Sequence, residues 1–359
     1  MKTKVLITAA NGNTGFPTAL ELLRLGVEVR AFVRNPNSEK ATQLKRMGAE
    51  IFVGNILDIR DVRKSLIGID RVYFVPTYPN LLFQGSVFLS ALGDSQVDHV
   101  VLLTQWLSSN THYSVYTKEH WLVDDMFKRS ALNLTILNPG LFGFVYFLTP
   151  EPLAQFGMLP DFGENAPPSN EDIGQVAAHI LNDPAAHRDK TYRVTGKEVL
   201  SAQQMAQIIS NVLKRKVKVA QLSEKMILKV MKASGLPKRD ASQVRYYIKE
   251  GHHAKVWSQN APTSVVRDIV GKEADDFETL VRTYLLPHPM AKQTFTNKLK
   301  ALKLMVRAVF TKSWDLEAYE KEQGMPLFSN MGFSAASEEW QREHLSSDLH
   351  GVVPVKSSS

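Results

Sequence analysis

Between Lys4 and Gly15 the chain reads KVLITAANGNTG, and the end of that run, Ala9, Asn11, Gly12, Asn13, Thr14 and Gly15, is made of residue types that can hold a phosphate. Glycines let backbone N–H groups come close to anionic oxygens, and a helix starting just beyond adds unpaired donors and a partial positive charge. The loop is delivered by an apolar strand, Val5, Leu6 and Ile7. A helix follows, with Ala19, Leu22, Leu23 and Leu25 at helical spacing, Pro17 tolerated in its first turn and Gly26 ending it. Strand, glycine loop and helix in that order form a cradle for a dinucleotide pyrophosphate. Two spacings fit, A-x-G-x-x-G from Ala10 and A-x-x-G-x-x-G from Ala9, each with alanine where the first glycine usually stands. Alanine costs little there unless φ must be positive, and the two retained glycines are expected to face the phosphates. A bland strand-turn-helix connection would show the same pattern.

The second strand, VEVRAFVR, ends on Arg34, at the place where a dinucleotide domain usually sets a carboxylate against the ribose 2′-hydroxyl. A guanidinium grips a 2′-phosphate that a carboxylate would repel, so Arg34 points to NADP(H) over NAD(H), with Asn35, Asn37, Ser38 and Lys40 as further polar contacts. The competing role is an ordinary exposed arginine at a strand end.

The elements that must position these groups continue as alternating strands and helices. AEIFVGN from Ala49, RVYFVP from Arg71 and HVVLLT from His99 are short apolar runs, each after a helical segment. Such runs indicate a parallel sheet covered on both faces, with ligands at the strand C-terminal ends. Pro76, Thr77, Thr104 and Gln105 are thereby candidate contacts. Asp58, in GNILD, could reach the adenine or cap a helix. The fold class is α/β: a Rossmann-like doubly wound parallel sheet with a smaller, mostly helical C-terminal lobe. Residues 1–150 form the nucleotide-binding domain, joined by a strand from about 188–196, and 151–286 form a lid or substrate lobe. That lobe opens on a proline- and glycine-rich loop, continues with a helix capped by Asn170 and Asp172, and holds helices over 202–213, 224–233 and 277–285.

Composition narrows the chemistry. The 359 residues include no cysteine, which excludes disulfides, thiolate nucleophiles and zinc-thiolate sites; no metal cluster is expected, and His252 and His253 lack the spacing of a helical metal site. Any redox chemistry must use a bound cofactor. The net charge of +7 comes largely from a stretch containing Lys292, Lys298, Lys300, Lys303, Arg307 and Lys312, and no nucleic-acid-binding motif accompanies it, so direct nucleic-acid binding is not expected. The N-terminus runs straight into the first strand and no uninterrupted apolar stretch of about 18 residues occurs, so a cytoplasmic protein is expected.

The motifs TAANGNTG, VRNP, GNILD, HVVLLT and YTKEHWLVDDMFKRSALNLTILNPGLF resemble the NmrA-like group of atypical short-chain dehydrogenases, relatives of quinone reductases and isoflavone-reductase-type enzymes. The similarity extends over about residues 3–286 and leaves the tail unaccounted for. The wider superfamily uses Tyr-x-x-x-Lys, in which lysine lowers the phenol pKa for proton donation. Here Tyr113 and Tyr116 precede Lys118 by five and two positions, so neither shares its helix face. The isoflavone-reductase branch implies instead that Lys118 lies near the nicotinamide, as proton donor or by positioning the cofactor ribose. Its competing role is a solvated lysine, although a cation at a helix start opposes the macrodipole. His120 is a candidate proton shuttle.

Aromatic residues concentrate nearby. Trp106, Tyr113, Tyr116 and Trp121 follow the fifth strand, and Phe142, Phe144, Tyr146 and Phe147 follow the sixth. Flat apolar walls suit a quinone-like or other aromatic acceptor, with Trp106, Tyr113, Phe142 and Phe144 as the candidate pocket; the same rings could equally form the junction with the lobe. Two functions are compatible with these residues: an NADPH-dependent oxidoreductase, which is favoured, and a non-catalytic NADP(H) sensor that controls a protein partner. Residues 287–359 form an extension whose helix carries Phe295, Leu299, Leu302, Met305, Val306, Val309 and Phe310 as one stripe. That stripe is expected to pack on its own domain or across a homo-oligomer, with an anionic membrane surface or a partner groove as its other uses. The final VPVKSSS is expected to be disordered.

Overall fold

The computed structural model describes residues 2–220, 222–325, 330–345 and 352–354. Its strands are β1 (Lys4–Ile7), β2 (Glu28–Val33), β3 (Glu50–Val53), β4 (Arg71–Phe74), β5 (His99–Leu103), β6 (Asn133–Leu137), β7 (Met158–Leu159), β8 (Lys190–Tyr192), β9 (Lys218–Val219) and β10 (Val352–Pro354). The main sheet runs β3-β2-β1-β4-β5-β6-β8-β10, parallel from β3 through β8, with β10 added antiparallel; β7 and β9 pair separately. The order reverses direction between β1 and β4, so the crevice that such sheets use for ligands opens above the C-terminal ends of those strands.

Side-chain alternation explains why the central strands are apolar on both faces. Val5 and Ile7 join Tyr73, Val101 and Leu103 in one core layer, under α1 (Gly15–Arg24) and α7 (Asn170–Asn182). Leu6 joins Val72, Phe74, Val100 and Leu102 in the other, under α3 (Ile59–Leu66), α4 (Leu81–Leu92) and α5 (Val115–Lys128). Burying each such aliphatic side chain contributes roughly 1.5–3 kcal/mol. The peripheral α2 (Glu39–Arg46) follows β2. On the first face α1 and α7 approach closely at Gly174, where a Cβ would lie 2.8 Å from the Pro17 ring.

The remaining helices are α6 (Pro150–Phe156), α8 (Ala202–Leu213), α9 (Glu224–Ala233), α10 (Lys238–Ala254), α11 (Val265–Val270), α12 (Phe277–Leu280), α13 (Phe295–Phe310), α14 (Leu316–Glu322) and α15 (Glu338–His344). A further core gathers Tyr146, Leu153, Leu159, Met205, Ile209, Phe277 and Leu280. The expected helices over 202–213 and 224–233 lie where their apolar spacing puts them. The cap of α7 differs: Ser169 Oγ accepts from the Asp172 amide at 2.9 Å, and Asn170 and Asp172 lie inside the helix. The 17-residue α10 has no apolar stripe to betray it, because its buried face includes Ser242, Gln243, Arg245, Glu250 and Gly251.

The extension is folded onto the rest. α13 packs on α6 and α9, but with the opposite face from the one expected: Ala301 and Ala308 are buried, while Phe295, Leu299, Leu302, Val306, Val309 and Phe310 are exposed. α14 docks on α10 through Glu320, which accepts from Arg245 and Tyr246, each at 2.9 Å. Val352–Pro354 pairs with β8, so the start of the terminal run is an edge strand; residues 355–359 lie outside the described residues.

Candidate active site

The glycine loop closes on itself. The Gly12 amide donates to the Ala9 carbonyl at 2.7 Å, a Cβ on Gly12 would stand 2.9 Å from that oxygen, and one on Gly15 would overlap it. Both glycines are therefore required by the loop's own backbone, before any ligand is considered. Ala9 has φ 47°, so the alanine in the first glycine's place does adopt the left-handed conformation, at a cost of roughly 1–2 kcal/mol. α1 begins without a side-chain cap and with no acidic residue in its first turn, whereas Ser38 and Asp58 cap α2 and α3. Uncapped N–H groups at the end of β1 suit a bound anion.

Asn11 Nδ2 donates to Ser38 Oγ at 3.1 Å and ties this loop to the turn after β2. Arg34 stands exposed at that strand's end. Asn13 lines a groove of about 410 Å³ with Phe16, Leu20, Lys40, Phe144 and Tyr284, and Phe142 meets Phe144 edge to face. Asp58 accepts from the Arg60 amide at 2.9 Å as the cap of α3, and the Arg60 guanidinium holds its carboxyl down at about 2. Pro76 is buried, and Thr77 is pinned by Gln84, whose side chain accepts from the Thr77 amide at 2.9 Å and donates to its carbonyl at 2.8 Å.

At the ends of β4 and β5 the chain assembles a line of hydrogen bonds between residues far apart in sequence. Tyr78 Oη lies 3.0 Å from His120 Nε2, His120 Nδ1 lies 3.3 Å from Thr104 Oγ1, and Thr104 Oγ1 bonds Asp124 Oδ2 at 2.9 Å. Ser108 Oγ also reaches Asp124 Oδ2, at 2.5 Å. Spacing alone accounts for the inner part: His120 and Asp124 are four apart on α5 and face Thr104 together. Tyr78 arrives from the β4 loop, its ring stacked on Tyr116 at 4.1 Å and 42% exposed. Burial pushes His120 down to about 3, keeping it neutral, and pushes Asp124 up to about 7. Tyr78 and Asp124 are the members that the sequence did not single out.

The next stretch of the cleft wall is covered by the extension. Lys118, in the first turn of α5, is only 6% exposed, and its Nζ reaches Met331 Sδ at 3.7 Å. Burial pushes the amine down, against an opposing effect of the Glu320 charge. Tyr113 stacks on Tyr246 and meets Phe333 edge to face. Trp106 lies inside the protein, not at an open wall: Trp340 donates to its carbonyl at 2.8 Å, and the Arg193 guanidinium lies 3.4 Å from its ring centre. Tyr146 and Phe147 belong to the lobe core. Of the predicted aromatic pocket, Phe142 and Phe144 stay by the glycine loop, while Trp106 and Tyr113 pack with other parts of the chain.

A parallel sheet ordered 3-2-1-4-5-6 with a glycine loop after its first strand is of the Rossmann-like doubly wound class. The chain belongs to the NmrA-like family, which it matches over residues 1–256. It is similar to the NAD(P)H azoreductase of Xenophilus azovorans, 24% identical over 239 residues covering 65% of this chain and 82% of the relative. Among solved structures it resembles the NADPH-dependent quinone oxidoreductase of Escherichia coli complexed with NADPH, with TM-score 0.67 and 21% identity over 77% of this chain and 98% of that one. It also resembles NmrA, a negative transcriptional regulator in complex with NAD, with TM-score 0.64 and 16% identity over 79% and 95% of the two chains. These structural likenesses concern the fold. No helix among the described residues is long and apolar enough to cross a membrane.

Proposed function

We propose that this chain is a nicotinamide-dinucleotide-dependent reductase that prefers NADP(H) and reduces a quinone or a similarly conjugated aromatic acceptor. The observation that carries the reading is the hydrogen-bonded line from buried Asp124 to the half-exposed Tyr78, set one strand along from an uncapped glycine loop. The loop amides and the α1 N-terminus would hold the pyrophosphate, Arg34 the 2′-phosphate, and Asn13 and Thr14 would line the approach. When bound, the reduced dinucleotide supplies hydride. The acceptor oxygen also needs a proton, which this chain's own residues deliver.

With Asp124 protonated, its O–H donates to Thr104, the Thr104 hydroxyl to His120 Nδ1, His120 Nε2–H to Tyr78, and the Tyr78 hydroxyl to the acceptor oxygen. One proton shift along the line leaves Asp124 as carboxylate, with Thr104 donating to it and the imidazole in its other tautomer. Either tautomer fits the same distances, so delivery needs no imidazolium. The carboxyl, raised to about 7, keeps the loaded form populated up to neutral pH. Lys118 is the second candidate donor, with an amine made less basic by burial.

The test is NADPH oxidation by the purified protein with a panel of quinones and azo dyes, repeated for Tyr78→Phe and Lys118→Met. Turnover lost in Tyr78→Phe and kept in Lys118→Met assigns the proton to the Asp124 line; the reverse assigns it to the lysine. The second reading, an NADP(H) sensor, is favoured by the extension lying across Lys118 and Tyr113. Tight NADPH binding with no acceptor reduced would decide for it.

A further inference from the structure

α13 is held on the body of the protein at a fixed orientation. Ala301 and Ala308, two small residues a heptad apart, allow close approach, and Lys229 and Lys232 of α9 donate to the carbonyls of Val309 and Lys312 at 2.8 and 3.0 Å, where cations complement the helix C-terminus. Gln155 of α6 donates to the Met290 carbonyl at 2.5 Å and to that of Lys292 at 3.0 Å, which fixes the other end. So anchored, the helix turns its apolar stripe outward: Phe295 is 82% and Phe310 84% exposed, with Leu299, Leu302, Val306 and Val309 each about half exposed between them.

At 3.6 residues per turn these six side chains fall within one sector of about 100°. Lys298 borders the sector on one side, and Lys303, Arg307 and Lys300 border it on the other; all four are exposed. Between Arg282 and Asp315 the sequence contains no acidic residue. An outward apolar sector flanked by cations, on a helix too short and too charged to span, has the geometry of a helix that lies in the headgroup region of an anionic bilayer. A second copy of the same face would bring the cations of both helices together with no acidic group on either to pair them, which argues against self-association.

We propose that α13 docks this protein on anionic phospholipid membrane surfaces, with Phe295, Leu299, Leu302, Val306, Val309 and Phe310 entering the interface and Lys298, Lys300, Lys303 and Arg307 meeting the headgroups. Phe156, at the end of the neighbouring α6, is also exposed. Leu148, two residues before α6, lines the groove beside the glycine loop and is itself exposed, so groove and docking helix lie on adjoining elements.

The experiment is co-sedimentation of the full chain with vesicles of phosphatidylcholine, with and without phosphatidylglycerol, at low and high salt, alongside sedimentation velocity without lipid. Binding to the anionic vesicles is expected, weakened by salt because the Debye length shortens from about 10 Å at 0.1 M to about 3 Å at 1 M. The doubly substituted Leu302→Glu/Val306→Glu and Lys298→Glu/Lys303→Glu chains, all at exposed positions, should each bind at least about tenfold less while melting as the parent does. No binding to anionic vesicles at low salt overturns the proposal. A dimer in the absence of lipid that Leu302→Glu/Val306→Glu converts to monomer overturns it in favour of a second copy.

Discussion

The two ends of the cleft are built in opposite ways. At the glycine loop everything is local and open: Gly12, Gly15 and α1 lie within a few residues of β1, the helix starts uncapped, and Arg34 stands in solvent. At the start of α5 everything is distant and closed: Lys118 lies under Met331, Trp106 under Trp340, and His112 bonds Glu250 at 2.9 Å with neither side chain exposed. The glycine-loop end is specified by a short local motif, whereas the end at the start of α5 is closed by a segment about 200 residues away that the family match, ending at residue 256, does not include.

Trp340→Ala should have the largest effect, since it removes a fully buried indole and its 2.8 Å bond to Trp106: about 3–5 kcal/mol of stability by chemical denaturation, with faster amide exchange at Ser114–Lys118. Unchanged exchange there would mean that the closed end does not depend on the extension. Gly15→Val tests the open end, because its side chain must displace the Ala9 carbonyl; NADPH affinity measured by fluorescence titration should drop about 100-fold. Tyr78→Phe should lower kcat about 100-fold while leaving nucleotide affinity as it was, and an equal change in both would tie Tyr78 to binding instead of proton delivery. Arg34→Glu should weaken NADPH about tenfold and NADH little, and equal losses would remove the 2′-phosphate role.

The smallest effect is in pH. Because the folded Asp124 carboxyl is raised from 3.8 to about 7, the native state holds a proton that the unfolded chain gives up, so this group's share of stability is present below about 4 and is lost as pH rises from about 4 to about 7. His120, lowered from 6.5 to about 3, acts oppositely: its share is present above about 6.5 and is lost as pH falls toward 3. Asp124→Asn should flatten the first slope and leave the second, and should also remove the fall in kcat as pH rises through about 7. Denaturant melts and initial rates across pH 4–8 check both.

Legibility in the sequence followed sequence distance. The apolar strands, the glycine loop, Arg34 at the end of β2 and the stripe of α13 were readable because helix and strand periods act over a few residues. The face on which α13 would pack was not readable, since a stripe says that an apolar surface exists and leaves open what covers it; only the fit of Ala301 and Ala308 against α6 and α9 decided that it points outward. Nor was α10 legible, because a buried face holding Gln243, Arg245 and Glu250 is polar until the partners that satisfy it, Ser114, Glu320 and His112, come into reach. The same holds for the hydrogen-bonded line that ends on Tyr78. His120 and Asp124 share a helix face by spacing, but Tyr78 joins them from 42 residues away in sequence, and Met331 reaches Lys118 across 213. By itself the sequence determined the sheet and the glycine loop, whose contacts are short-range and periodic; the tertiary structure alone decided which phenol meets the histidine and which residues close the far end of the cleft, because those contacts depend on how separate elements pack.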